Sequence, residues 1–308
     1  MSVVPSQYFS DHSELRSVSV DSWTRSLMAL LGAVLLVKFY VAGVSNINWD
    51  EFYYLSHVHE QLNGTLTRRL QAFHVHLFGW LAFVSTNEAD QVIAARAVML
   101  ALQGLTGYLL FRIACQFYRP AAALFSVLCY FSLSTVIQHG TSFRADPIAT
   151  ALLVAGLYFM LQPARTYMHA WISGALISLA AAITIKSVFY MPIFAAFMLI
   201  QFAQSDNRSL QVKQWILTVV TAGAGFVALY GIHLWLAGSV SSESAAKTIG
   251  HAYEKTILSG DFFPRWVFFQ RTLIGDFVVW SAIIIGFILA LRQLRDPDKK
   301  SRRTGMFL

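Results

Sequence analysis

The sequence predicts an all-α polytopic membrane protein with about eight transmembrane helices and two large outer loops, and three observations predict it. The chain of 308 residues is 56% apolar and only 13% charged, roughly half of the 25% or so that coats a soluble domain. Its mean hydropathy of +0.54 excludes a disordered chain, because disorder needs low hydrophobicity and high net charge. The apolar residues fall into separate blocks of about 16–26 residues, and a helix of about 20 residues crosses a hydrocarbon layer of about 30 Å.

Taken in order, residues 1–25 are polar and mixed in charge, which predicts a cytoplasmic tail with no cleavable signal peptide. The first apolar block, 26–45, then serves as an uncleaved anchor. The other spans are predicted at 92–115, 120–138, 147–162, 169–185, 187–203, 215–237 and 274–292. These make a transmembrane domain over 26–292, followed by a basic cytoplasmic tail over 293–308. The stretch 74–84 is apolar but too short to cross, and with His74, His76 and Trp80 it suits a helix lying at the membrane interface.

Lys and Arg placement sets the sidedness. With the N-terminus inside, the inner segments hold thirteen of the 23 basic residues and six of the 16 acids, while the outer side nets about zero. Both termini are then cytoplasmic, and the large outer loops are 46–91 and 238–272. The formal charge of +7 is assigned to contact with anionic lipid, so no nucleic-acid partner is expected. Cys115 and Cys129 lie inside apolar blocks and predict no disulfide framework.

Ionisable groups at membrane depth are costly unless paired or wetted, and by default they point to function. Six stand at the outer ends of apolar blocks: Asp50, Glu51, Arg96, Arg144, Asp146 and Lys186. In Asn46-Ile-Asn-Trp-Asp-Glu-Phe-Tyr-Tyr54 the adjacent carboxylates repel, which raises one pKa and provides a base; a solvated helix start is the alternative. Lys186 is either a snorkelling lysine at a tight turn or a cation held at headgroup level for a phosphate. Asp146, before Pro147, either caps a helix or works with Arg144 on the same rim. Arg96 either snorkels or pairs with Asp50, Glu51 or Asp146. Histidines 57, 59, 74 and 76 lack matched further ligands, so no metal is assigned. Arg68, Arg69, Arg265 and Arg271 are further outer cations.

The ordered set resembles the polytopic glycosyltransferase C superfamily, in the branch of protein O-mannosyltransferases and lipid A aminoarabinose transferases. The likeness is carried by Trp49-Asp50-Glu51 with Tyr54, Ala95-Arg96, Arg144-Ala-Asp146-Pro147 opening a helix, and Thr184-Ile-Lys186 before an apolar run to Pro192. The chain departs at Tyr53, where the aminoarabinose branch has an arginine, and at 73–76, where that branch has Lys-Pro-Pro. The resemblance implies a sugar donor on a polyprenyl phosphate, an acceptor that is a lipid, glycan or protein, and a bacterial inner-membrane location. It also implies roles. Asp50 is the base, Glu51 orients the loop or acceptor, and Lys186, Arg96 and Arg265 or Arg271 clamp the donor phosphate. Asp146, Arg144 and Tyr54 support them. Apart from the resemblance, no cofactor is expected, a divalent metal being possible but without support in the residues. A secondary transporter and a non-catalytic membrane subunit are the competing readings.

Overall fold

The computed structural model describes residues 22–66, 72–162, 165–205, 207–238, 254 and 266–285. Every element among them is helical. In order they are α1 (Ser22–Val44), α2 (Trp49–Leu62), α3 (Val75–Phe78) running into a 3-10 turn (Gly79–Phe83), and α4 (Glu88–Ala114). Then come α5 (Pro120–Ser132), α6 (Ser134–His139), α7 (Ala145–Met160), α8 (Tyr167–Ile183), a 3-10 segment (Ile185–Tyr190), α9 (Met191–Gln204), α10 (Arg208–Leu236) and α11 (Trp266–Gly275). Helix resumes over 277–285 after a turn at Asp276.

Three of these helices, α1, α4 and α10, are long and apolar enough to cross a membrane. α5, α7, α8 and the segment Ile185–Leu199 are apolar but shorter. Polar side chains start the helices where the chain changes direction. Asn48 and Glu51 form a capping box on α2, and the side-chain oxygens of Asn87, Thr166 and Asn207 accept from the first turns of α4, α8 and α10. Pro120 opens α5 at a position whose missing N–H would have no intrahelical partner.

The structure divides two segments that the apolar pattern joins. The span expected at 120–138 breaks at Leu133, which is extended, because the Asp276 carboxylate accepts from Ser134 N at 2.6 Å and Ser134 Oγ at 3.0 Å and so caps a separate α6. The stretch 74–84 is two short helical pieces, and Val75, Phe78 and Leu81 are buried in the main core with α2 and α4. One side of it therefore packs into the core, while Leu77, Trp80, Phe83 and Val84 on the rest of it stay exposed.

Contacts fix the helix directions. Ser173 Oγ donates to Gly156 O across antiparallel α7 and α8. Thr218 Oγ1 donates to Ala170 O, and Ser178 lies against Gly225, so α8 and α10 run parallel. Arg96 of α4 reaches Ala42 O of α1, which makes that pair antiparallel. The α4 N-terminus, the α7 N-terminus and the turn at Lys186 therefore share one end of the bundle. At the other end lie Arg25, Arg112, Arg119, Arg165, Arg208 and Lys213, and no Asp or Glu accompanies them among the described residues. Arg165 there donates to Thr218 Oγ1 at 2.7 Å and Gln214 O at 3.4 Å, while burial pulls its pKa down to about 10.

Candidate functional site

Two constructions occupy the end where α2, α4 and α7 begin. The first is a buried clasp. Glu51 is fully buried and Arg96 is 3% exposed. Arg96 Nε donates to Glu51 Oε1 at 2.8 Å and Nη2 to Oε2 at 2.6 Å, a two-pronged pair. The rest of the guanidinium donates to Ala42 O, Ser45 O, Ser45 Oγ and Asn46 O. Glu51 accepts further from Asn48 N at 3.0 Å and Phe143 N at 2.9 Å. One carboxylate thus ties the end of α1, the start of α2, α4 and the approach to α7.

This placement corrects two expectations. Arg96 takes the pairing with Glu51 that was its alternative and has no N–H left for a donor phosphate, and Glu51 is sealed from any acceptor while still holding the loop through Asn48 N and Phe143 N. Nor does repulsion from Asp50 raise the Glu51 pKa. Burial pushes it up, but the bonds from Arg96, Asn48 N and Phe143 N outweigh burial and hold the carboxyl below its ordinary value.

The second construction is a row of alternating charge beside the clasp. Arg144 Nη1 lies 2.7 Å from Asp50 Oδ2, Arg144 Nε 3.5 Å from Asp146 Oδ2, and Lys186 Nζ 3.2 Å from Asp146 Oδ1. Asp50 is 45% exposed, Asp146 40% and Lys186 48%, whereas Arg144 in the middle is 19% exposed. Three segments far apart in sequence build it. Asp50 stands in the first turn of α2, Arg144 and Asp146 at the start of α7, and Lys186 on a 3-10 segment begun by Thr184, whose Oγ1 accepts from Lys186 N. Tyr54, one turn after Asp50, stacks edge-on with His74 and Phe143. Burial first, then the nearby Asp146, pushes its phenol up to about 12, so it stays protonated beside the row.

The row opens onto a cavity of about 440 Å³ whose lining includes Gln103, Thr106, Tyr130, His139, Thr150 and Tyr190, with Arg144 and Asp146 at its rim. Gly140 admits this packing, since a Cβ there would meet Gln103 Nε2 at 1.9 Å and Val136 O at 2.4 Å. Lys38, buried in α1, donates to Val136 O at 3.0 Å, and Gln103 Nε2 to the same oxygen at 3.3 Å. α6 is therefore held from three sides, by α1, α4 and Asp276.

Of the expected site residues, Asp50, Arg144, Asp146, Lys186 and Tyr54 are brought together. Arg271 is exposed on α11 and belongs to none of the ion pairs of the row. Arg265, Arg68 and Arg69 lie outside the described residues, as do most of the expected loop 238–272 and the tail 293–308. Of the four histidines, His57 and His74 lie with ring centroids 5.9 Å apart, and the others turn to separate partners. His59 bonds Gln91 at 2.9 Å, His74 bonds Tyr54 O at 3.2 Å, and His76 bonds His233 at 2.8 Å. Among the described residues no group of three or more His, Cys, Asp or Glu side chains is placed to hold a metal ion.

Sequence reasoning missed Asp276, Gln103 and His139. Asp276 is a lone carboxylate inside an apolar block, the signal that singled out the six rim charges, and Gln103 is a glutamine in the middle of another such block. Compared with known proteins, the chain matches no family model, no curated protein and no solved structure.

Proposed function

We propose that the chain is a multi-pass membrane glycosyltransferase that moves a sugar from a polyprenyl-phosphate-linked donor to a hydroxyl of a lipid, glycan or protein acceptor, with inversion at the anomeric carbon. The observation that carries the reading is the row Asp50–Arg144–Asp146–Lys186, assembled from three segments at the mouth of a cavity. Asp50 takes the proton of the acceptor hydroxyl as its oxygen attacks the anomeric carbon. The bond from that carbon to the phosphate oxygen breaks, and the lipid phosphate leaves with the electron pair. A phosphate leaves as an anion without a protonating acid, so one carboxylate base suffices, where a glycosidase needs two. Lys186 and Arg144 are the cations within reach of that developing charge. Asp146 spaces them, and Glu51 with Arg96 holds the backbone that carries Asp50.

In this reading the end bearing the row faces the outside of a bacterial inner membrane, and the end bearing Arg25, Arg112 and Arg208 faces the cytoplasm, in keeping with the positive-inside rule. A transporter would place its charges near mid-membrane, whereas these sit at one rim. With labelled polyprenyl-phosphate sugar and a membrane extract, Asp50→Asn is expected to abolish transfer while the protein remains folded in the membrane. Wild-type transfer by the purified Asn variant would remove Asp50 as the base. Lys186→Ala is expected to weaken donor binding at least tenfold, about the loss of one charge-assisted contact. Donor affinity unchanged by that substitution removes Lys186 from the phosphate contact.

A further inference from the structure

The basic end of the bundle, opposite the charge row, carries cations that the candidate site does not use. They are not equivalent. Arg165 is turned inward onto Thr218 and Gln214 of α10, and Arg208 rests on the single ring of Phe202. Arg112, in the last turn of α4, is exposed and yet fixed by two helices. Its Nη1 donates to Tyr108 OH at 2.7 Å. Its guanidinium carbon lies 5.7 Å from the ring centroid of Tyr108 on the same helix and 5.8 Å from that of Tyr158 on α7. Nε and Nη2 make no hydrogen bond among the described residues, and Tyr108 OH, having accepted from Arg112, keeps its own proton to donate.

We infer that the groove where α4 and α7 end binds one anionic phospholipid, its phosphate taken by Arg112 and Tyr108. Three features select that occupant. No Asp or Glu stands at this end among the described residues, so an anion meets attraction from Arg112 and its neighbours and no described repulsion. A guanidinium steadied by two rings, with a phenol O–H beside it, presents several donors to phosphate oxygens. The third feature is what leads to the cation. Leu105, Tyr108 and Arg112 recur at the spacing of one helix face, and Ala101, Gly104, Leu105 and Tyr108 are exposed along it. That face belongs to a helix long and apolar enough to cross a membrane. The anion therefore brings acyl chains that lie along α4, as headgroups do at basic sites between membrane helices. Under the proposed topology this lipid belongs to the inner leaflet, at the end remote from the donor phosphate. The inference does not rest on the transferase reading.

The test is native mass spectrometry of the purified full-length protein, delipidated in detergent, which resolves single binding events. The probes are phosphatidylglycerol, phosphatidylcholine and glycerol phosphate without chains. The first phosphatidylglycerol is expected to bind at least about tenfold more tightly than phosphatidylcholine, and glycerol phosphate more weakly than phosphatidylglycerol. Arg112→Gln is expected to lower phosphatidylglycerol affinity about tenfold, the loss of one charge-assisted contact, and to leave phosphatidylcholine unchanged. Tyr158→Leu removes one ring beneath the guanidinium and is expected to lower it about two- to fivefold. Arg208→Gln, at the same end, is the control expected to change it less than about twofold. Circular dichroism checks that each variant is folded, and Tyr158→Leu carries the test if Arg112→Gln is not.

Phosphatidylglycerol bound no more tightly than phosphatidylcholine overturns the site, as does wild-type phosphatidylglycerol affinity in the folded variants. An equal loss in Arg208→Gln and Arg112→Gln also overturns it, since the attraction would then belong to the whole basic end. Glycerol phosphate bound as tightly as phosphatidylglycerol overturns the assignment to a lipid. Binding in detergent is the same whichever way the chain is inserted, so an inverted orientation moves the lipid to the opposite leaflet and leaves the site standing.

Discussion

Glu51 and Asp50 are neighbours in sequence with opposite fates. Glu51 enters the core and accepts four hydrogen bonds, two of them from Arg96, while Asp50 stays half-exposed on the row. Removing one partner of a buried ion pair strands the other, at a cost of about 3–5 kcal/mol. Glu51→Gln is therefore expected to lower the thermal stability of the detergent-solubilised protein far more than Asp50→Asn does. The pH dependence follows from the direction of the shift. The Glu51 pKa is lowered by folding, so its contribution is fully present above the unfolded carboxyl value of about 4.3. That contribution is lost as pH falls through the lower folded value. Melting curves taken downward from pH 5 are expected to fall more steeply for the wild type than for Glu51→Gln; parallel acid limbs would count against the clasp.

At the scale of the element, α8 and α10 run side by side because small residues let them. A Cβ on Gly174 would meet Thr218 O at 2.6 Å and Thr221 Cβ at 2.7 Å, and one on Gly225 would meet Ser178 Oγ at 2.6 Å. Close backbone approach through small residues is the usual basis of helix pairing in lipid, where water supplies no drive to bring helices together. Gly174→Val is expected to cost about 1–3 kcal/mol by overpacking and to lower the melting temperature. Gly223→Ala, on α10 with open space at its Cβ, is the control expected not to lower it. α6 shows a second dependence between elements. Its N-terminus rests on Asp276, from the last described helices, so Asp276→Ala is expected to loosen one wall of the cavity and raise the KM for the donor more than it lowers kcat.

At the scale of the molecule, the two ends of the bundle differ in charge. One end holds the clasp and the row, where acids and cations are matched, and the other holds basic residues with no described acid beside them. Under the proposed topology, single cysteines introduced at Ser56 and at Arg208 in a background without Cys115 and Cys129 report opposite sides. A membrane-impermeant maleimide is expected to label position 56 in intact cells and position 208 only after permeabilisation. Labelling of both positions in intact cells would falsify the orientation.

How much was legible in the sequence follows from the range of the forces involved. Helical class, the apolar elements at α1, α4 and α10, and the rim charges Asp50, Arg144, Asp146 and Lys186 depend on composition along the chain, which is local. The break at Leu133 was not legible, because an apolar run carries no mark of a carboxylate arriving from Asp276, well over a hundred positions away. Nor did the sequence show that Glu51 is buried while Asp50 stays half-exposed, or that Arg96 spends all its donors on Glu51 and the end of α1. Those outcomes depend on which acid the helix turn directs inward, and a fully buried charge must be met by partners that only packing brings near. The sequence by itself determined that the chain is helical and apolar and which few charges stand at the helix ends. The tertiary structure decided which of those charges are consumed in holding the bundle and which are left beside a cavity.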